Sequence, residues 1–560
     1  MNFFGKRKKS QNVSQDDADT DTLNLTLDSD NAVPTSKEMA LKNPNPPDLE
    51  ADKPLPSTQL SSPEVLEHIS PENDVTEDNR VGDWVHHLNY LEFMIPPRPR
   101  QTWEQITSPC GGKMEWVSSL SISKERRSAT PSDLVLDLVY VILLQQLGRA
   151  YRSEVENNPL NALRDFVALF TPIWFQWNVI QHYLNRYEQK DVVHVIFFLG
   201  NIICMANIGI SAEACGSGTV RHGCSEFAWS FAGARLWVLL FEAYSLYFNW
   251  NTYRLSISMF MIPDVIAILV WFIVGFLPAG EECGSVINMC WFPFIFFWWF
   301  GIFVDMLRLL APMIVFRILK MRTTRKESVP LNVNLIGERN ELFIIISIGE
   351  IIAASLASDA PSAAAASDDD HGRFLEGDDT HHAKTISAYR IVPLVVLIAA
   401  LVKITYFDVA EHPAPSGGAC MPRKHAMTRS PWTGLAWVML HLPLNISIVL
   451  LGAILEPLKL HGEFNGKAQV VCSNCLAGIV LICSLFDVLH SGGNVQLRRV
   501  KKQARLGFHL LCVLSFFVVP YFKDFAGDPL EYLGIVNALL LVQVAGTIYA
   551  HFPIERPGEE

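Results

Sequence analysis

Apolar stretches of bilayer-crossing length constrain this chain more than any other feature of its sequence. A helix needs about 17–25 predominantly apolar residues to cross roughly 30 Å of hydrocarbon, and such stretches alternate with short polar connectors after Leu134. The pattern predicts an all-α integral membrane protein, a polytopic bundle of about twelve transmembrane helices. The predicted helices lie near residues 132–149, 164–184, 191–212, 228–249, 255–278, 288–309, 342–358, 388–408, 434–456, 469–489, 506–522 and 532–551.

The composition agrees with a membrane protein and argues against a nucleic-acid partner. The chain is 50% hydrophobic and only 18% charged, and its formal net charge is −12. Much of the acid lies in the N-terminal segment and in one loop, so the net charge does not define a binding face. The expected partners are therefore the lipid bilayer and an ion or small solute, with no nucleic acid.

The polar segments divide the chain into six parts. The first residues are rich in Ser, Asp and Pro and cannot bury enough apolar surface to fold, so we expect a disordered tail there. The basic start is not followed by an apolar run, so no cleavable signal peptide is expected. The predicted parts are a disordered tail (1–80), a membrane-proximal segment (81–128), a first transmembrane half (129–358), an acidic outside loop (359–387), a second transmembrane half (388–552) and a C-terminal tail (553–560).

The distribution of Lys and Arg predicts that both termini lie inside. Short cytoplasmic connectors collect basic residues, and an inside N terminus places the runs Arg317–Lys326 and Leu497–Arg505 on that side. The acidic 359–387 loop then lies outside, and Arg149 with Arg152 is the exception. The pattern does not distinguish the plasma membrane from an internal one.

Four of the eleven cysteines fall in or beside two predicted outside loops. Cys215 and Cys224 share the first loop, and Cys283 and Cys290 share or border the second. An oxidising exterior permits disulfides among them, but spacing does not define the pairing. Free thiols are the alternative.

Ionisable residues inside the predicted helices are the candidate functional residues, because each costs several kcal/mol in hydrocarbon unless it is paired or hydrated. Asp137 and Gln145 share one face of the first helix, and Asp305 can pair with Arg308 one turn later. For any single residue, structural pairing is favoured over a role in transport. The candidates for a pathway or a buried charge network are Asp137, Gln145, Arg235, Glu242, Asp264, Asp305, Arg308, Glu338, Arg339, Glu350 and His441.

Signatures of enzymes and cofactor sites are missing from the sequence. It contains no G-x-S-x-G, no P-loop, no H-E-x-x-H and no Gly-rich dinucleotide fingerprint, so we expect neither an enzyme nor a bound cofactor. The run Asp368–Asp370 with His371, His381 and His382 has side chains that bind divalent metals weakly. A solvated loop is the favoured interpretation, and no metal site is predicted.

Two separated motifs resemble the bacterial low temperature requirement A family of membrane proteins. The first helix, SATPSDLVLDLVYVILLQQLG, places Asp137 on the acid of that family's first helix. A later helix, GERNELFIIISIGEIIAASL, places Glu338, Arg339, Gly349 and Glu350 on a Glu-Arg and a Gly-Glu pair. The stretch WFQWNVIQHYLNRYEQKD and the HLPL at His441 also resemble family elements.

The chain departs from the family pattern within the motifs, and its acidic 359–385 loop and long N-terminal tail resemble additions of a eukaryotic-type member. Val135 and Leu136 stand where paired phenylalanines are usual, and Asn340-Glu341 replaces a Phe-Gly. The resemblance covers roughly residues 125–490 and implies a multi-pass membrane protein without implying an activity.

Two functions fit these observations. The first is a transporter or channel for an ion or small solute that uses intramembrane carboxylates. The second is a membrane scaffold or sensor whose buried charges are structural and whose tail binds partners. Asp137 and Glu350 lie in the first and seventh helices, which a six-plus-six parallel repeat would make equivalent.

Overall fold

The computed structural model describes thirteen parts of the chain, all within the compact unit of residues 78–560. The predicted disordered tail, the C-terminal tail and most of the membrane-proximal segment lie outside the described residues. So do Cys283, Cys290 and Asp368–His371. The described residues are 120–121, 131–155, 159–187, 191–216, 223–277, 292–313, 329, 331–356, 378–410, 426–461, 466–490, 502–521 and 528–551.

Long helices make up nearly all of the described residues, and each predicted apolar stretch overlaps one of them. A one-turn helix, Ala426–Arg429, precedes the long helix that begins at Pro431, and a 3₁₀ turn, Val519–Tyr521, follows the long helix that ends at Val518. The long helices are α1 Pro131–Val155, α2 Pro159–Arg186, α3 Val192–Gly216, α4 Gly223–Phe248, α5 Trp250–Phe276, α6 Phe292–Met313, α7 Val333–Leu356, α8 Asp378–Ala410, α9 Pro431–His461, α10 Gly466–Leu489, α11 Lys502–Val518 and α12 Pro529–His551.

Eight of the described helices are long and apolar enough to cross a membrane, which supports an integral membrane protein. They are α3, α5, α6 and α8–α12. The other four, α1, α2, α4 and α7, include the three helices that carry Asp137, Arg235 and Arg339. Buried polar residues lower the mean hydropathy of these helices, because that mean is highest for a helix that is apolar on every side.

Many large apolar side chains are exposed on the outside of the bundle, whereas many polar and charged side chains are buried in its interior beside the apolar core. In α5 the side chains of Leu269, Ile273 and Phe276 are 58%, 41% and 74% exposed, whereas Asp264 is 1% exposed. A bilayer solvates the outer apolar surface, and the bundle interior holds the charges. The burial pattern therefore fits a chain that is surrounded by lipid.

The helices α1 and α7 pack against each other and run in the same direction. Near their first turns, Asp137 of α1 contacts Arg339 of α7. Eleven residues later in each helix, a Cβ placed on Gly148 would lie 3.6 Å from Glu350 Oε1. The strands that precede these helices, β1 Leu120–Ser121 and β2 Leu331–Asn332, also pair in parallel.

The order of helix contacts in α1–α6 recurs in α7–α12. In the first half α1 packs on α2 and α3, α3 on α4, α4 on α5, α5 on α6, and α2 on α4 and α6. In the second half α7 packs on α8 and α9, α9 on α10, α10 on α11, α11 on α12, and α8 on α10 and α12. The halves meet through contacts that include those of α1 with α7 and α9. A parallel six-plus-six repeat requires this recurrence.

Candidate functional site

Five of the predicted residues form one buried ion-pair network, here called the charge cluster. It consists of Arg235 and Glu242 of α4, Asp264 of α5, and Asp305 and Arg308 of α6, and each is at most 5% exposed. These helices pack consecutively, α4 on α5 and α5 on α6. Three carboxylates therefore share two guanidinium groups inside the bundle.

Asp264 joins the two arginines of the charge cluster. Its Oδ2 accepts a hydrogen bond from Arg308 Nε at 2.9 Å, and its Oδ1 lies 3.6 Å from Arg235 Nη1. Arg235 Nη2 lies 2.7 Å from Asp305 Oδ1. Arg308 Nη2 donates to Glu242 Oε1 at 2.5 Å. The network thus runs Asp305, Arg235, Asp264, Arg308, Glu242 across three helices.

The partners differ from those that sequence spacing suggested. Asp305 and Arg308 were predicted to pair with each other on one face of α6. In the structure both make their ion pairs with other helices, Asp305 with α4 and Arg308 with α4 and α5. Arg235 neither bridges to Asp137 or Glu350 nor extends to the interface, since it is 1% exposed. The helix α5 also continues through Pro263 rather than breaking beside Asp264.

Aromatic rings cover the arginines of the charge cluster. The guanidinium carbon of Arg235 lies 5.2 Å from the ring centre of Phe231, and that of Arg308 lies 5.7 Å from Phe260. The electron-rich face of a ring attracts a cation, most strongly where water is excluded. The ring of Phe260 also contacts a third arginine. The guanidinium carbon of Arg186 of α2 lies 4.0 Å from its centre.

A second site, here called the motif site, joins the two family-like motifs. Arg339 Nη2 donates to Asp137 Oδ1 at 2.8 Å, so the acid of α1 pairs with the arginine of α7. Arg339 Nε also donates to Gln181 Oε1 of α2 at 2.9 Å, and Trp177 Nε1 donates to Asp137 Oδ1 at 3.4 Å. Arg339 is 2% exposed.

Sequence reasoning found Asp137 and Arg339 separately but missed Gln181 and Trp177. Both lie in the stretch WFQWNVIQHYLNRYEQKD, which resembles a family element. Their spacing of four residues on α2 was the available signal, because it puts them on one helix face.

A small pocket adjoins the motif site. Among the described residues, Asp137 Oδ2, Gln181 Nε2 and Arg339 Nη1 are buried and have no hydrogen-bond partner. Gln181 and Arg339 both line this pocket, so their unpaired donor groups suit a bound water molecule. The polar lining residues are Asp133, Asn178, Gln181, His182, Asn185, Arg339 and Asn340.

Glu350 lies in a different place from Asp137. The helix rise puts residues 339 and 350 about 16 Å apart along α7, and Glu350 faces Gly148 of α1 and Gly452 of α9. These two glycines allow α1 and α9 to approach Glu350 closely. Gly349 itself is exposed, with open space around it.

The remaining predicted residues lie outside the charge cluster and the motif site. His441 Nε2 lies 2.9 Å from Tyr406 Oη, and its Nδ1 lies 2.8 Å from the carbonyl oxygen of Trp437, so both ring nitrogens are used. Gln145 and Glu338 are partly buried. Cys215 and Cys224 form a disulfide that joins the end of α3 to the start of α4.

Comparison with known protein families matches residues 128–545 to the model described as Bacterial low temperature requirement A protein. The chain belongs to the low temperature requirement A family. The match extends the resemblance beyond residue 490 through α11 and most of α12. It also covers the charge cluster and the motif site. Comparisons with curated proteins and with solved structures find no match.

Proposed function

We propose that this low temperature requirement A protein moves an ion or small solute across a membrane along a pathway that passes the charge cluster. The single observation that carries the proposal is the direct contact of three carboxylates with two guanidinium groups inside α4–α6. Arg186 of α2 lines the same pocket as Glu242 and adds a third guanidinium group, so the numbers of carboxylates and guanidinium groups are equal. The uptake or release of one cation or proton would therefore change the net charge of the site from zero.

A purely structural role accounts poorly for so many charges. One ion pair is enough to fix the register of two helices, and buried pairs are often replaceable by well-packed apolar residues without loss of stability. Ionisable residues inside a membrane bundle characteristically mark ion pathways and proton relays. The size and burial of the charge cluster therefore favour transport over scaffolding.

The proposed topology has all twelve long helices crossing the membrane, with both termini inside. Alternate crossing makes the first and seventh helices run in the same direction, and the parallel packing of α1 and α7 supports this. The basic connectors Arg317–Lys326 and Leu497–Arg505 then lie on the inside.

A flux assay tests the proposed function. Proteoliposomes containing trapped pH-sensitive or cation-sensitive dyes would be placed under imposed H⁺, Na⁺ and K⁺ gradients. We expect wild-type flux of at least one of these ions, and at least a tenfold loss in Asp305→Asn and Glu242→Gln. Asp487→Asn is the matched control, because Asp487 pairs with Arg505 in the second half and should keep flux within twofold.

The second candidate is a membrane scaffold or sensor with structural charges. The motif site favours it, because Arg339 ties three helices together through Asp137, Gln181 and the carbonyl oxygen of Asp133. Under this candidate no ion moves in the wild type, and Asp305→Asn and Asp137→Asn lower only the yield of folded protein. That result would overturn the transport proposal.

A further inference from the structure

A hydrogen-bonded chain, Asp191–His194–Tyr183, leads towards Glu242. None of these three residues is among the predicted site residues. We propose that this chain, here called the relay, carries protons from the end of α2 and the start of α3 to the Glu242 end of the charge cluster. The inference rests on the proposed function, because it makes the proton the ion that the charge cluster exchanges.

The relay begins directly before α3. Asp191 Oδ1 accepts a hydrogen bond from the backbone N–H of His194 at 2.9 Å and also contacts His194 Nδ1. His194 Nε2 lies 3.2 Å from Tyr183 Oη. Asp191, His194 and Tyr183 are each at most 4% exposed. Carboxylate, imidazole and phenol groups all exchange protons, so the three are connected without a gap.

The inner end of the relay reaches the helix that carries Glu242. Tyr183 Oη lies 3.3 Å from Ser245 Oγ, and Ser245 follows Glu242 by three residues on α4. Tyr183 and Glu242 also line one small pocket with Arg186, Tyr187 and Ser256. The last proton step therefore lies within a pocket that both residues line.

Glu242 has one carboxylate oxygen that accepts a hydrogen bond and one that does not. Its Oε1 accepts from Arg308, whereas its Oε2 is buried without a hydrogen-bond partner among the described residues. A single water molecule with Tyr183 and Glu242 as partners fits the pocket that both residues line. The geometry thus assigns Glu242 Oε2 as the proton acceptor at the edge of the charge cluster.

The transfer conserves protons. A protonated Asp191 gives its proton to His194 Nδ1 while Nε2 passes one to Tyr183, and Tyr183 passes one through water to Glu242. Asp191 ends ionised, Glu242 ends neutral, and His194 ends in the other tautomer with an unchanged number of protons. No electrons move and no other reactant is needed.

Charged and titratable groups from each adjoining helix surround the relay and its target. They are His182, Arg186 and Tyr187 of α2, Tyr244 of α4, Asp264 of α5 and Arg308 of α6.

Time-resolved infrared spectroscopy tests the relay on the purified full chain in nanodiscs. After a rapid downward pH step, we expect a carboxylic-acid C=O band that is missing in Glu242→Gln. Tyr183→Phe should reach the same final amplitude at least tenfold more slowly, because the phenol oxygen is the link between imidazole and pocket. Tyr187→Phe is the matched control, since it lines the same pocket outside the relay, and should keep the wild-type rate.

The variants are expected to fold, because Tyr183→Phe keeps the ring that packs 4.7 Å from Phe197. A wild-type rate in Tyr183→Phe, or the absence of any band that depends on Glu242, would overturn the relay. Slowed protonation without ion flux in proteoliposomes would overturn the proposed function alone. Ion flux without slowed protonation would overturn the relay alone.

Discussion

Arg339 of α7 and Asp137 of α1 form a buried ion pair of 2.8 Å although they are 202 positions apart in the chain. Each belongs to one of the two motifs that resemble the low temperature requirement A family. Their contact explains why an acid in the first helix and an arginine in the seventh occur together, since each supplies the counter-charge that the other needs in the bundle interior.

Arg339→Gln should destabilise the protein strongly. Removing one partner leaves Asp137 buried and unpaired, which costs about 3–5 kcal/mol. Denaturant unfolding in mild detergent would measure the loss. Arg390→Gln, at an exposed position on α8, should be close to neutral.

The double variant Asp137→Asn/Arg339→Gln completes a thermodynamic cycle. Because it leaves no unpaired charge, it should recover part of the stability lost in Arg339→Gln. Equal losses in the single and double variants would contradict a direct ion pair.

Gln181→Leu should lower stability by a smaller amount. The substitution keeps the approximate size of the side chain but removes the acceptor of the 2.9 Å hydrogen bond from Arg339 Nε. An unsatisfied buried donor costs about 1–3 kcal/mol. The same unfolding measurement would check this, with Gln145→Leu as a control outside the motif site. A loss in Gln145→Leu equal to that in Gln181→Leu would contradict the specific role of Gln181.

The sequence was informative about helices and much less informative about partners. Each apolar stretch overlaps a helix, because bilayer length and apolar composition are local properties. The predicted pair Asp305 and Arg308 also rested on local spacing, and the structure connects both residues to other helices instead. Which of several buried acids meets which arginine depends on helix packing, and a single sequence contains no direct signal of packing.

The residues of the relay were also hard to predict from sequence, because a neutral polar side chain costs much less free energy in a membrane than a charged one and was not selected as a candidate. His194 and Tyr183 resemble ordinary core residues in a linear sequence, and a prediction based on intramembrane charge excluded them. Their significance comes from Asp191 and Ser245, which lie on either side only after α2, α3 and α4 have packed. Hydrogen-bond chains across helices require the fold.

Gly452→Ala should destabilise the contact of α9 with α7. An ideal Cβ on Gly452 would lie 3.2 Å from the backbone nitrogen of Ile351 and 3.3 Å from the backbone oxygen of Glu350. Backbone atoms of a packed helix move little, so overpacking should cost about 1–3 kcal/mol. Gly349→Ala is the matched control, because its Cβ meets open space. We expect the control to gain up to about 1 kcal/mol from helix propensity. Similar effects in both variants would exclude the close approach.

The disulfide between Cys215 and Cys224 provides a test of the proposed topology. With both termini inside, the loop between α3 and α4 lies outside, where oxidation is favoured. In sealed right-side-out vesicles, a membrane-impermeant reductant followed by an impermeant maleimide should label both cysteines, and maleimide without the reductant should label neither. The buried Cys472 and Cys475 of α10 serve as internal controls and should stay unlabelled in the intact vesicle. Labelling of Cys215 and Cys224 only after vesicle rupture would place this loop inside and reverse the orientation that the basic connectors predict.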